Sequence, residues 1–207
     1  KHMAGFVNKF YSLGYNVLAA DARAHGDSEG TKIGMGWPER FDVIKWIKLI
    51  ISWEPNAQII LHGVSMGAAT VLMASGEELP ENVKVIIPDC GYTSEWDEFK
   101  CEANALHIPW FPVLNAASVM SRLRDGYDFK QASALEKVKQ SRIPTLFIHG
   151  SDDELVPYSM LDKLYSAAAC EKECLTVNGA GHALSSSVEP ELYWNTVESF
   201  IEKYSAK

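Results

Sequence analysis

Cysteine is scarce and unpaired in this chain. The 207 residues hold four, Cys90, Cys101, Cys170 and Cys174. None stands at C-x-x-C or Cys/His spacing, which argues against a zinc site. Four scattered thiols suit a reducing compartment, and a cytoplasmic location is the matching expectation. Runs of Lys and Arg are missing too. With 19 basic against 27 acidic residues the net charge is −8, which speaks against a nucleic-acid partner. There is no stretch long and apolar enough to span a bilayer. The start of the sequence carries no signal-peptide pattern, and the chain has no repeats or low-complexity linkers.

What is present fits one α/β domain. A length of 207 residues suits a single core of some size. Strand and helix patterns alternate, which implies a mostly parallel sheet covered on both faces. The pattern predicts a helix over Met3–Leu13 and a strand over Asn16–Ala20. A helix opens at Pro38, with Val43, Trp46, Ile47, Ile50 and Ile51 on one face. Further strands are expected at Ala57–Leu61, Val83–Pro88, Ile143–Ile148 and Cys174–Val177. Pro157 and Pro190 open two more helices, the last with Tyr193, Val197, Phe200, Ile201 and Tyr204 on one face.

The most informative segment is Gly63-Val64-Ser65-Met66-Gly67. It follows an apolar strand and precedes the small-residue run Ala68-Ala69-Thr70, so it reads as a strand, a sharp turn and a helix start. Gly-x-Ser-x-Gly in this setting is a nucleophile elbow. The turn strains the serine backbone, and flanking glycines let neighbouring backbone pass without a Cβ clash. A nucleophilic serine also needs a base and a carboxylate to orient it. Two later strand ends offer them: His149-Gly150-Ser151-Asp152-Asp153-Glu154-Leu155-Val156-Pro157 and Asn178-Gly179-Ala180-Gly181-His182-Ala183. His25, His62 and His149 lie beside glycines at strand ends and read as structural hydrogen-bonders, and Arg23 as a turn anchor.

These motifs together resemble the α/β-hydrolases of the esterase, lipase and serine-aminopeptidase-like group. His-Gly-x-x-Asp-x-x-Val-Pro is that group's acid loop, and its register against Val156-Pro157 places the acid on Asp153, with Asp152 as the alternative. Gly-x-Gly-His places the base on His182. Asp21-Ala22-Arg23-Ala24-His25-Gly26-Asp27-Ser28 and Asp89-Cys90-Gly91-Tyr92-Thr93-Ser94 resemble two further segments of the group. The resemblance implies one α/β-hydrolase domain over 1–207, with a core of 1–94 and 141–207. Residues of about 95–140 would form a helical cap, in which Trp96, Trp110 and Phe111 are candidates to line an acyl pocket.

The resemblance also implies a gap. The strands that normally precede the first helix are absent from the sequence, and so is the loop that supplies one oxyanion-hole amide beside the Met66 N–H. The expectation is that a strand from outside residues 1–207, from a missing N-terminal segment or a second chain, fills a slot between Asn16–Ala20 and Ala57–Leu61. Self-association is left open. The expected activity is that of a serine hydrolase, a carboxylesterase acting on small-molecule esters of small or medium acyl chains, with no metal or organic cofactor. The alternatives are a peptidase or amidase with the same three residues, or a non-catalytic binding protein on the same fold.

Overall fold

The computed structural model describes residues 3–205. The chain divides into two compact units, Lys1–Ile33 and Gly34–Lys207. In the first, α1 (Ala4–Ser12) buries Phe10, and Tyr15 meets that ring edge-on with centroids 5.9 Å apart. A turn follows in which Asp21 Oδ2 accepts from the Asp27 N–H at 3.2 Å and the Asp21 carbonyl from Ser28 Oγ at 2.7 Å.

Asn16–Ala20 is not a strand. These five residues are exposed and adopt no regular structure, and the ordered sheet draws all its strands from later residues. An apolar run becomes a strand only where a neighbour pairs with its backbone, which composition does not reveal. One of the two flanks expected around the slot is therefore not a sheet edge.

The second unit holds a four-stranded parallel sheet in the order β1 (Ile59–Val64), β2 (Val83–Asp89), β3 (Thr145–Gly150), β4 (Lys172–Val177). Strand β3 is buried at every position and β2 at all but one, as continuous apolar runs inside a parallel sheet should be. The edge strand β1 alternates buried and half-buried residues.

Helix α2 (Glu39–Trp53) follows Pro38 and presents Ile47, with Val43, Ile50 and Ile51 beside it, to Ile59, Leu61, Val83 and Ile86. Trp46, at the margin of that stripe, is 40% exposed. Helix α3 (Met66–Ser75) runs directly from β1 and is buried from Ala68 to Ser75. The remaining helices are α4 (Glu95–Ala105), α5 (Trp110–Asp125), α6 (Ala134–Val138), α7 (Ser159–Ala167), α8 (Ser185–Val188) and α9 (Pro190–Tyr204). Leu72 and Met73 of α3, Ala134 and Val138 of α6, Phe147 of β3 and Met160, Leu161 and Leu164 of α7 form one core cluster. The apolar face of α9 buries Tyr193, Val197, Phe200 and Ile201. No helix among the described residues is long and apolar enough to cross a membrane.

Between β2 and α6 the chain makes an excursion through α4 and α5. Ser94 accepts the Asp97 N–H at 3.1 Å and so caps α4, and Ser133 accepts the Glu136 N–H at 3.2 Å and caps α6. Such caps satisfy donors that the first helical turn leaves open. Ser94 and Ser133 also pair with each other in an antiparallel bridge, which ties the two ends of the excursion together.

Helix α4 buries two acids, Glu95 and Glu98, each 3% exposed. One oxygen of each has no hydrogen-bond partner among the described residues. Burial first, then neighbouring carboxylates, pushes both up to about 8. A carboxyl whose folded pKa lies above its unfolded value, ~4.3 for Glu, gives its full stability contribution below that value and loses it as pH rises through the folded pKa. Glu98→Gln, which removes the ionisation, is therefore expected to raise the melting temperature more near pH ~9 than near pH ~5. An equal change at both, read by thermal denaturation, would show that Glu98 does not carry this penalty.

Candidate active site

Ser65 sits at the junction of β1 and α3 with φ 55° and ψ −117°, a conformation that side-chain-bearing residues rarely adopt. Two features hold it there. Its N–H donates to the Asp89 carbonyl at the end of β2, 2.9 Å away, and α3 leaves the turn at once. A Cβ at Gly63 would lie 2.3 Å from the Gly67 carbonyl oxygen, so strand and helix can approach this closely only with glycine at 63. A Cβ at Gly67 would meet nothing within 4 Å. The steric requirement expected of both flanking glycines falls on Gly63 alone.

Asp153 lies on the loop after β3. Its Oδ1 accepts the N–H groups of Leu155 at 3.0 Å and Val156 at 2.9 Å, a compact turn that fixes the carboxylate. Oδ2 lies 2.8 Å from His182 Nδ1 and 3.3 Å from His149 Nε2. Asp152 faces elsewhere: its carboxylate accepts from Ser151 Oγ at 2.6 Å, and its backbone N–H donates to the Ala180 carbonyl at 3.0 Å. That bond, with Ser151 N–H to Val177 O at 3.0 Å and Gly179 N–H to Ser151 Oγ at 2.8 Å, joins the acid loop to the histidine loop. The contact is close enough that a Cβ at Gly150 would lie 2.2 Å from the Ala180 oxygen.

His182 stands on the loop after β4 and bridges the other two residues. Nδ1 is 2.8 Å from Asp153 Oδ2, and Nε2 is 2.8 Å from Ser65 Oγ. With Nδ1–H donating to the carboxylate, Nε2 is left as the acceptor for the serine hydroxyl. Burial alone would raise the Asp153 carboxyl. Hydrogen bonds from His149, His182 and the Val156 N–H outweigh that and hold it well below the usual carboxylate range. The arrangement can move a proton from Ser65 to His182 while Asp153 stays ionised.

Three buried groups surround this line of contacts; the sequence marks His149 as a structural hydrogen-bonder and gives Asp89 and Cys90 no role. His149 donates from Nε2 to the Val156 carbonyl at 2.9 Å beside its contact with Asp153. Asp89 and Cys90 are wholly buried at the end of β2. The signal for them was the Asp89–Ser94 segment, whose resemblance to the family marked a place but no chemistry. Cys90 Sγ, an Asp153 oxygen and a His182 ring nitrogen lie within 4.8 Å of one another. Burial, then Asp89 and Asp153, drives the thiol pKa well up, and the other two groups already bond to each other. That donor set does not suit a metal ion, which needs a thiolate and a free imidazole nitrogen.

The aromatic candidates gather on α4 and α5. Trp96 and Trp110 meet edge-on with centroids 6.4 Å apart, and Trp110 meets Phe111 at 6.1 Å. Trp96 lines a cavity of about 210 Å³ with Asn115, Ser118, Val119, Arg122, Asp128 and Lys130. Neither Ser65 nor His182 lines that cavity, and Phe111 is 66% exposed. Met66, the remaining candidate, is the first residue of α3, so its N–H opens the helix beside Ser65.

The sequence pattern of X-Pro dipeptidyl-peptidase (S15 family) matches residues 2–132. The chain belongs to this family. Asp153 and His182 lie beyond the matched segment. Among curated relatives, the uncharacterized protein YqkD of Bacillus subtilis (strain 168) is 30% identical over 199 residues, which is 95% of this chain and 65% of that protein. Lysophosphatidylserine lipase ABHD12 of Macaca fascicularis is 31% identical over 169 residues, 81% of this chain and 42% of that protein. The chain thus spans less than two thirds of both. Among solved structures, the Pyrococcus furiosus esterase Pf2001 superposes with a TM-score of 0.79 at 23% identity, covering 99% of this chain and 76% of the esterase. The monoacylglycerol lipase of Paleococcus ferrophilus gives 0.66 at 18% identity, covering 97% and 88%. These two establish the α/β-hydrolase fold.

Two outcomes follow from the geometry. Gly63→Ala should destabilise the protein or displace Ser65, because the clash is with backbone, whereas Gly67→Ala should be neutral or stabilising by up to ~1 kcal/mol, since alanine is the better helix former. Chemical denaturation of the pair tests the contrast, and equal losses would refute it. Asp153, with its depressed folded pKa, contributes stability that is present above the unfolded value of ~3.9 and lost as pH falls through the folded one. Wild type should therefore lose more of its melting temperature on acidification from pH ~5 to ~3 than Asp153→Asn does; parallel losses would contradict this.

Proposed function

We propose that this chain carries the active site of a serine hydrolase that cleaves carboxylic esters of small or medium acyl chains. The observation behind this reading is the continuous line from Ser65 Oγ through the His182 ring to Asp153 Oδ2, both contacts 2.8 Å long. Ser65 attacks the ester carbonyl as His182 Nε2 takes its proton. His182 then returns the proton to the leaving alcohol, and water repeats the sequence on the acyl-enzyme. Asp153 holds the tautomer and stabilises the imidazolium. The Met66 N–H, at the positive end of α3, supports the developing oxyanion. In this reading α4 and α5 form the cap, and Trp96, Trp110 and Phe111 contact the acyl group. The edge position of β1 supports a related part of the proposal: a strand from another segment or chain pairs along it and brings the second oxyanion amide.

A second reading is favoured by one observation, the match to a family of dipeptidyl-peptidases over residues 2–132. The same three residues would then cleave an amide, with His182 protonating a departing amine. A lipid-ester substrate, as in the name of the ABHD12 relatives, falls within the first reading.

A fluorophosphonate probe should label Ser65 in the wild type and leave Ser65→Ala unlabelled. The substitution should cut turnover by at least ~10⁴-fold and shift stability by less than ~0.5 kcal/mol, since it opens no core cavity. Parallel assays with p-nitrophenyl acyl esters and X-Pro p-nitroanilides separate the two readings. Higher kcat/KM on the anilide than on every ester would replace esterase by peptidase, and an unlabelled, inactive wild type would leave a binding protein.

A further inference from the structure

Asp89 is wholly buried, charged by nature, and unused in the reaction described above. It is the last residue of β2, at the edge of the sheet where Ser65, Asp153 and His182 converge. Its two polar ends reach two different parts of the site. The backbone carbonyl accepts the Ser65 N–H at 2.9 Å. The side-chain Oδ1 accepts from Ser185 Oγ at 3.3 Å. Ser185 is itself wholly buried and opens α8, three residues beyond His182. The nucleophile turn and the histidine loop are thus fastened to one residue from opposite sides.

The groups facing the carboxylate come from several elements. They are His149 of β3, His182 on its loop, Ser185 of α8 and Tyr193 of α9, with the Cys90 thiol next in the chain. The Tyr193 hydroxyl also lies 3.0 Å from His62 Nε2 of β1. His62 is held neutral, its pKa lowered to about 4 by burial. Asp89 and Asp153 both act on the Cys90 thiol, each raising its pKa. A carboxylate here therefore shares the surroundings of His182 with Asp153 but makes no hydrogen bond to the ring.

We propose that Asp89 is a positioning residue for the proposed hydrolysis: through Ser185 it holds the loop that carries His182, and its negative charge adds to that of Asp153 in favouring the imidazolium formed when Ser65 gives up its proton. The proposal rests on the serine-hydrolase reading for its rate effects but not for its effect on His182. An opposite charge within a weakly screened interior favours the protonated ring. Burial, the largest influence, pushes the Asp89 carboxyl up to about 6. Its charge is accordingly gained as pH rises through that value.

Asp89→Asn keeps the shape and an acceptor for Ser185 while removing the charge. Ser185→Ala keeps the charge and removes the tether. In the asparagine variant, the His182 ring followed by NMR should lose its proton at a pH lower by about half a unit to one unit than in wild type. Fluorophosphonate labelling of Ser65 and kcat on a p-nitrophenyl ester should fall by ~3- to 10-fold, with KM within ~2-fold and a melting temperature at pH ~8 no lower than wild type, because a buried charge has been removed. Ser185→Ala should lower kcat while leaving the His182 titration near that of wild type. An unchanged His182 titration in Asp89→Asn overturns the charge effect, and wild-type kcat in Ser185→Ala overturns the tether. Should Asp89→Asn fail to fold, Asp89→Ser, which also removes the charge, takes its place in the His182 titration, and Ser185→Ala decides the tether. A wild type that takes no fluorophosphonate refutes the hydrolase reading, and the NMR titration still decides what Asp89 does to His182.

Discussion

Parallel register is the constraint on which the site depends. In the ladders Val64 stands beside Asp89, Asp89 beside Ile148, and Gly150 beside Val177. Every strand therefore ends at the same edge, and the residue after each end enters the same space. Ser65 follows β1, Asp89 closes β2, Asp153 comes three residues after β3, and His182 five after β4. Side chains separated by up to 117 residues in sequence meet because the sheet aligns their starting points. Open α/β sheets concentrate function at this edge for the same reason.

Short polar contacts then turn proximity into geometry. Ser65 is held in a strained conformation by a neighbouring strand's carbonyl and by the departing helix. Asp153 is held by two backbone N–H groups, and three bonds couple its loop to that of His182. The interior beneath is rich in acids. Asp89, Glu95 and Glu98 are buried with raised pKa values, so the formal charge of −8 overstates what the folded chain carries near neutrality. Asp153 goes the other way because its charge has donors on both oxygens. Burial disfavours ionisation in all four, and what separates them is the hydrogen bonds each receives.

Much of this was legible in the sequence, and the reasons can be traced to particular residues. Gly63–Gly67 could be read because an apolar strand and a small-residue helix start flank it and two later strand ends offer a base and an acid, although the steric need for glycine falls on Gly63 alone. Asp153 and His182 could be read because strand-end loops of this kind carry recurring spacing. The strands at 59–64, 83–89 and 145–150 announced themselves as apolar runs between turn residues. Asn16–Ala20 looked the same and is not a strand, since pairing is a property of neighbours rather than of the run. Trp46 was assigned to an apolar face whose margin it occupies. His149 reads from sequence only as a structural hydrogen-bonder and Asp89 has no role there, because what each one meets is set by what lies opposite it in space. Nothing in residues 95–130 shows which aromatics turn toward a substrate, because side-chain direction there follows from how α4 and α5 pack.

The bridge between Ser94 and Ser133 has a bearing on how such a chain can diversify. Because the excursion is closed at its base, the cost of lengthening it grows only logarithmically with the number of residues inserted. Its ends meet the core at two capped helix starts, α4 and α6, and these fix where it attaches whatever lies between. Ser65, Asp153 and His182 all lie outside the closed segment. Segments of different length and composition can therefore be exchanged between Ser94 and Ser133 as a module. Divergence among relatives should accumulate inside that closed loop faster than at the strand ends it leaves untouched.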